Sequence, residues 1–433
     1  MASTSTSRIS ELATTIQSHT AKLDAYFASH GFSSPSFDAE FPSLPPELEG
    51  SRIAILIATD ELTDLMEGPR KLAECDPPTH ISVLGIQAVR RYGIASKITT
   101  DEEVSFTELA ERCKLPLDDL QRLLRLAMSK HVFKEPRKGF VAHNAASRLF
   151  AESDGLNDWT YVAMEDMWPS IVHLLDAMDK WKGSEEANET GFNLAKNTTE
   201  SFFDTMKDNA NRRDVFTNVM KYAQSKPGIG FSSSHLLASY DWASVATVVD
   251  IGGGTGATSV ILARKHPSIR CIVQDLPEVV AQGREQLPTE LNTQVSFIEH
   301  DFFQEQPVKD ADVYFLRWIL HDWSDKKAGS ILRNLIPALR NGSNVVLHEF
   351  VIPEPGVLSF YHEKIIRCLD LSMKATFNSK EREMGAWIKL FAEADPRFKF
   401  VDAKIPPGSN LALIHFRWED SGSVSAAGTF NEQ

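Results

Sequence analysis

The sequence predicts a mostly helical N-terminal domain followed by an α/β domain built on an open sheet with helices on both faces. Three observations lead there. Apolar residues in the first half recur at three- and four-residue steps, the period of amphipathic helices. After Pro227-Gly-Ile-Gly230 short β-rich runs alternate with helical stretches, as parallel strands joined by crossover helices require. One of those runs, Val248-Val-Asp-Ile-Gly-Gly-Gly-Thr-Gly256, ends in a glycine cluster that opens a helix, so a ligand loop is expected at a strand end. A chain of 433 residues is long enough for two cores.

From Arg8 to about His30 the spacing of Ile9, Leu12, Ile16, Leu23 and Phe27 predicts a helix. The Ser- and Pro-rich stretch from Gly31 to Gly50 reads as a linker, Arg52 to Leu72 is again helical, and Pro77-Pro78 breaks the chain. A helix tethered in this way suits an arm reaching a second subunit, or packing on its own domain. Residues 105–150 have the pattern of a winged helix. Helices are expected at Phe106 to Cys113 and Leu117 to His131, the second burying Leu120, Leu123, Leu124, Leu126 and Ala127, and a hairpin follows whose wing is the basic turn Lys134 to Gly139. The outer face of Leu117 to His131 mixes Asp118, Asp119, Arg122 and Arg125, and the chain carries a net charge of -14, so a structural or dimerising module is expected rather than a DNA reader. Helical signals continue through Asp158 to Lys182 and Thr199 to Ala223, which puts the domain boundary at residue 230. Residues 231–418 then carry strands at Thr247 to Ile251, Arg270 to Val273, Val295 to Ile298, Asp312 to Leu316, Asn344 to His348 and Leu411 to Phe416, the sheet being parallel. The polar tail, 419–433, is expected to be disordered.

No basic start with an apolar stretch marks the N-terminus, and no apolar run approaches the roughly 20 residues that span a bilayer, so a cytosolic protein with no membrane partner is expected. Cys75, Cys113, Cys271 and Cys368 have no CxxC spacing, which fits buried free thiols rather than disulfides or a zinc site.

Gly252 and Gly254 bring backbone close to a ligand, and Gly254 and Gly256 are expected where a side chain would collide with it. The third glycine of GxGxxG is missing, which disfavours nicotinamide and flavin. Asp275, followed by Leu276, ends the second strand, where an acid can accept from both ribose hydroxyls; Asp301-Phe302 ends the third, where a carboxylate can take an adenine amine and an aromatic can cover its ring. Leu316-Arg-Trp-Ile-Leu-His-Asp-Trp-Ser-Asp325 follows the fourth strand at the same sheet edge. Further acids stand at the end of Val345-Val-Leu-His-Glu349 and in Asn378-Ser-Lys-Glu-Arg-Glu383.

With VVDIGGGTGA, IVQDLPEVV, HDFF, LRWILHDWSD, VVLHEFVIP and NSKERE, nearly the whole chain resembles the plant-type caffeate and flavonoid O-methyltransferases, and especially their fungal relatives that modify polyketides and other secondary metabolites. The resemblance implies a Rossmann-like class I methyltransferase domain behind a mostly helical winged-helix dimerisation domain, a homodimer, S-adenosylmethionine as cofactor and a small aromatic or polyketide-type substrate. It implies His321 as the base, with Glu349 and Glu381 flanking it, and Gly252, Asp275, Asp301, Phe302 and Arg317 at the cofactor. Plant members generally have Lys where this chain has Arg317, which keeps the charge and changes the geometry.

The chemistry agrees with that reading. Methyl transfer from a sulfonium needs an oxygen nucleophile placed in line and stripped of its proton. A free imidazole near pKa ~6.5 faces a phenol near ~10, a gap of roughly 5 kcal/mol, whereas a simple alcohol leaves a gap of roughly 12 kcal/mol, so phenols and enols are the expected acceptors. Glu349 is expected to hold the imidazole and Glu381 to brace its other side. No metal is required. Trp168, Phe203, Met206, Phe216, Met220, Met373, Phe377 and Asn378 are candidates for the acceptor pocket, partly from family positions and partly from apolar character. Two alternatives stand beside transfer: a pericyclic or dehydration reaction on the same fold with S-adenosylmethionine non-reactive, and a non-enzymatic regulator using the winged helix.

Overall fold

The computed structural model describes residues 7–74, 79–225 and 230–420. The expected disorder of the tail therefore lies almost wholly outside the described residues, as do the Pro77-Pro78 break and Cys75. The chain divides into two compact units, Met1–Glu165 with Pro355–Arg367, and Asp166–Glu354 with Cys368–Gln433.

In the first unit the helix Arg8–His30 starts on Ser7, whose side chain accepts from the Ser10 N–H, and stops at Gly31, which takes the left-handed conformation (φ 69°) needed to close the end. It buries Leu12, Leu23 and Phe27. The next helix, Pro46–Glu74, begins earlier than the linker reading allowed: Pro46 suits a first helical position, and Glu47 and Glu49 favour the helix start electrostatically. It kinks at Gly68, ahead of Pro69. A further helix, Thr79–Arg91, was not foreseen. Strand β1 (Glu103–Ser105) then leads into helices Phe106–Cys113 and Leu117–Met128, and β2 (Phe140–Ala142) returns antiparallel to β1. Leu109, Leu120, Leu124 and Val141 are fully buried together.

The second unit is organised by a sheet of seven strands: β3 (Thr247–Ile251), β4 (Arg270–Asp275), β5 (Val295–Glu299), β6 (Val313–Arg317), β7 (Asn344–Glu349), β8 (Phe398–Lys404) and β9 (Ala412–Trp418). Their spatial order is β5-β4-β3-β6-β7-β9-β8. The five strands from β5 to β7 are parallel, and β9 runs antiparallel to β7 and to β8. The all-parallel expectation is thus corrected to a mixed sheet. The connection from β8 to β9 is too short for the dozen or more residues that a parallel crossover needs. Strand β8 escaped notice because a register shift between Phe400 and Asp402 breaks its alternation.

Both faces are covered. Val249, Tyr314, Leu316, Val345 and Leu347 pack with Ile331, Leu332, Trp387 and Phe391, while Val248, Val273, Val313, Phe315 and Val346 pack with Leu262 and Val280. Strand order reverses between β3 and β6, the place where an open α/β sheet leaves a crevice at its carboxyl edge. Gly252, Asp275, Arg317 and Glu349 all lie at that edge.

Candidate active site

The glycine-loop side of the crevice is built from three strand ends. After β3, Gly252, Gly254 and Gly256 all have positive φ (65°, 59° and 82°). A β-carbon at 252 would lie 2.4 Å from the Ile319 side chain, whereas one at 254 meets nothing within 4 Å. Gly254 therefore leaves a cradle on the crevice. Gly256 does not: its β-carbon would press on Phe297 at 3.0 Å, so this glycine serves packing against the sheet rather than a ligand, against the sequence expectation. Asp275 at the end of β4 is pinned by two backbone donors, Gly254 N–H to Oδ2 and Leu276 N–H to Oδ1, both at 2.8 Å. Each oxygen keeps a lone pair for a further donor. Burial raises its pKa, partly offset by those two bonds. Leu276 is 42% exposed beside it. Asp301 accepts from the Phe303 N–H at 2.9 Å, and a Phe302 ring carbon lies 3.7 Å from the β-carbon position of Gly252.

Arg317, at the end of β6, is buried. Its Nε donates to His348 Nδ1 at 3.1 Å, an Nη donates to the Phe231 carbonyl, and the guanidinium stacks 4.3 Å from the Trp318 ring centroid. Burial lowers its pKa to about 10 against the raising effect of Asp250 and Glu349. Asp250, which the sequence reading passed over, is a buried carboxylate directly beneath the glycine loop: a β-carbon at Gly253 would lie 2.6 Å from its Cγ, and it accepts from Ser259 Oγ at 2.6 Å. Burial pushes it up to about 6.

His321 sits in the short turn Leu320–Asp322, immediately beyond β6. Its Nδ1 lies 2.8 Å from Glu381 Oε1, and its Nε2 is 3.5 Å from Asp322 Oδ1. Glu349 has a different task from the one expected of it: its Oε1 accepts the backbone N–H groups of Ile319 (2.9 Å) and Leu320 (3.0 Å) and so holds the turn rather than the imidazole. The tautomer is set by Glu381. Burial by itself would lower the His321 pKa, but the charges of Glu381, Asp322 and Glu349 outweigh it and raise the pKa to about 10. Burial likewise raises Glu349 to about 7 and Asp322 to about 6. Arg382, fully buried and also unforeseen, clamps the same turn by donating to the carbonyls of Leu320 (2.9 Å) and Trp323 (2.8 Å). It lay in plain view in the NSKERE run, but a charged residue in a polar run gives no sign of burial.

Of the acceptor-pocket candidates, Phe203, Met206, Phe216 and Phe377 gather in one cluster with Phe192 and Phe202. Phe203 stacks on Phe377 (5.3 Å, 17°) and lies 5.7 Å from Trp323, two residues beyond His321. Trp168, Met220 and Met373 lie outside the cluster. Asn378 offers no free amide hydrogen: its Nδ2 donates to the carbonyls of Ser184 and Glu186, both at 3.0 Å, and its Oδ1 accepts from Lys374. Among the described residues no group of three or more His, Cys, Asp and Glu is placed to hold a metal ion.

Residues 173–396 match the O-methyltransferase domain family. The chain is 41% identical over 422 residues to O-methyltransferase kk1A of Curvularia clavata, covering 95% of this chain and 98% of that one. The chain belongs to the O-methyltransferase family. This methyltransferase is also 37% identical to the chlorophenol O-methyltransferase of Trichoderma longibrachiatum, over 96% of its own length and 91% of the relative. Its fold is that of OxaC, solved with sinefungin and meleagrin (TM-score 0.74, 21% identity, 94% and 99% covered), and of LepI, solved with S-adenosylmethionine (TM-score 0.70, 24% identity, 94% and 100% covered). The methyltransferase takes S-adenosylmethionine as its cofactor, and the cradle at Gly254 with the carboxylate of Asp275 beside it fits that group. No described helix is long and apolar enough to cross a membrane.

Proposed function

We propose that this enzyme methylates an acidic hydroxyl, phenolic or enolic, of a small aromatic or polyketide-type secondary metabolite, with His321 as general base. The observation that carries the reading is the buried His321–Glu381 pair standing at the sheet edge that holds the glycine loop. When bound, S-adenosylmethionine supplies an electrophilic methyl group. Asp275, Leu276, Asp301, Phe302, Gly252 and Gly254 are the residues to hold it, and Arg317, anchored by His348, keeps a positive charge below the same crevice. His321 Nε2 faces the acceptor and takes the hydroxyl proton; Glu381 stabilises the imidazolium that results; Glu349 and Arg382 hold the turn in place. Phe203, Phe216 and Phe377 suit an aromatic acceptor beside Trp323. The named activity of the Trichoderma relative, on chlorophenol, supports an acidic hydroxyl.

The test is incubation with labelled S-adenosylmethionine and a panel of phenolic and enolic metabolites. His321→Ala is expected to lower transfer by roughly 10²- to 10⁴-fold while S-adenosylhomocysteine still binds. Full methylation by that variant would show that another group is the base. Conversion of a substrate with no change in mass would replace transfer by a pericyclic reaction.

The exposed helices of the first unit support one further reading. Within the helical region proposed from the sequence, residues 1–230, we propose that the winged helix, about 105–150, and the arm Arg8–His30 join two copies into a homodimer, because Ile9, Leu65 and Met66 on the first two helices are left exposed.

A further inference from the structure

A cavity of about 300 Å³ lies against the segment that runs from the helix Leu174–Lys180 to the helix Gly191–Lys196. Of the acceptor-pocket candidates, only Asn378 lines it. The size is at the lower end of small-molecule sites, and the composition is typical of one, with an apolar wall and a few charges. Leu174, Met178 and Trp181 form the wall; Lys374, Lys182 and Glu189 bring the charges.

Those charges are not equivalent. Glu189 accepts from the Ser184 hydroxyl and Lys182 is exposed. Lys374 is half-buried, and its ammonium donates to Asn378 Oδ1, a neutral acceptor. Among the described residues no carboxylate forms an ion pair with it. Burial lowers its pKa, with Glu185 opposing and Lys380 reinforcing that effect from further away. A half-buried ammonium whose partner is neutral leaves charge that an anion in the cavity would complete.

The cavity is also tied to the reacting groups. Asn378 holds the loop carbonyls of Ser184 and Glu186 from a left-handed backbone (φ 58°), and it stands three residues before Glu381, which bonds His321. Three residues span at most about 11 Å, so the α-carbon of a residue lining the cavity and that of the acid bonded to His321 are no further apart than that. From the other side Ser324 Oγ donates to the Glu185 carbonyl at 3.0 Å, joining the same loop to the segment that follows the His321 turn.

We propose that this cavity is a subsite for a carboxylate carried at the far end of an aromatic acceptor, Lys374 pairing with the anion and Trp181 lying along the apolar body. The assignment rests on the methyl-transfer reading above. Its test needs no turnover. Binding of para-hydroxybenzoate and of its methyl ester to the full-length protein is measured by calorimetry with S-adenosylhomocysteine present. The acid is expected to bind about tenfold tighter than the ester, as one charge-assisted hydrogen bond allows. Lys374→Met should erase that preference and Lys374→Arg should keep it, with S-adenosylhomocysteine affinity unchanged in both as the sign of a folded protein. Trp181→Ala should weaken acid and ester alike. Equal binding of acid and ester to the wild type, no binding of the acid, or a preference that survives Lys374→Met would overturn the proposal. A protein that binds the acid as expected yet methylates nothing in the panel would leave the subsite standing and strike the proposed phenolic or enolic acceptor alone.

Discussion

Acids approach His321 by different routes, and the route decides what each can do. Glu381 meets Nδ1 directly, so its charge stabilises the imidazolium; Glu349 spends one oxygen on two backbone N–H groups and acts on the ring only through space. The cluster raises the His321 pKa to about 10, and a base must be neutral to accept a proton, so kcat/KM for the acceptor should rise with pH through the neutral range and on into the alkaline. Glu381→Gln keeps a hydrogen-bond partner and removes a charge. Its rising limb should therefore move to lower pH, and a limb unmoved from that of the wild type would show that the titrating group is not His321. On the donor side, Asp275→Ala removes the carboxylate that Gly254 and Leu276 position. Loss of even one charged hydrogen bond to a ribose hydroxyl, roughly 1.5 to 3 kcal/mol, should weaken S-adenosylhomocysteine binding tenfold or more by calorimetry. Unchanged affinity would place the ribose elsewhere.

At the scale of elements, two glycines separate packing from ligand approach. Gly283 lies in the helix Pro277–Gln286, where an added β-carbon would sit 2.4 Å from the Phe297 ring of β5. Gly283→Ala should cost roughly 1 to 3 kcal/mol of stability, read as a lowered denaturation midpoint, because helix and sheet must part to admit a methyl group. Gly254→Ala meets no atom of the protein, and its φ of 59° costs only about 1 to 2 kcal/mol; its main effect should fall on S-adenosylhomocysteine affinity, because the methyl group fills the cradle. A Gly254→Ala protein that binds as tightly as wild type would remove the cradle from the donor site. The strands that frame this loop were legible in the sequence because buried parallel strands are nearly continuous apolar runs, as in Val313 to Leu316. Strand β8 was not, because its side chains are only partly buried and its register shifts.

For the molecule as a whole, the exposed apolar residues of the first unit bear on assembly. Ile9, Phe32, Phe37, Phe41, Leu65 and Met66 are solvent-facing in a single copy. Light scattering of the purified chain should give the mass of a dimer, and removal of residues before Ser51 should shift it toward the monomer; a full-length monomer at micromolar concentration would refute the homodimer. The full-length match to fungal O-methyltransferases places transfer chemistry above a regulatory role, since the family domain covers 173–396 and so includes His321, Glu349 and Glu381 together.

The sequence by itself determined the α/β architecture, the glycine loop, the strand-end acids and the histidine, because each of these is a local pattern: a run, a spacing, a residue type at the end of a run. Only the tertiary structure decided which acid touches the imidazole. Glu349 and Glu381 lie 28 and 60 positions from His321, and nothing local distinguishes a carboxylate that will accept two backbone N–H groups from one that will accept an imidazole. The same holds for Arg382 and Lys374. Burial and partnership of a charge are properties of the elements packed around it, so two cations eight residues apart, one in the helix Phe360–Phe377 and one in the polar run after it, end as a lysine lining a cavity and as a clamp on the His321 turn.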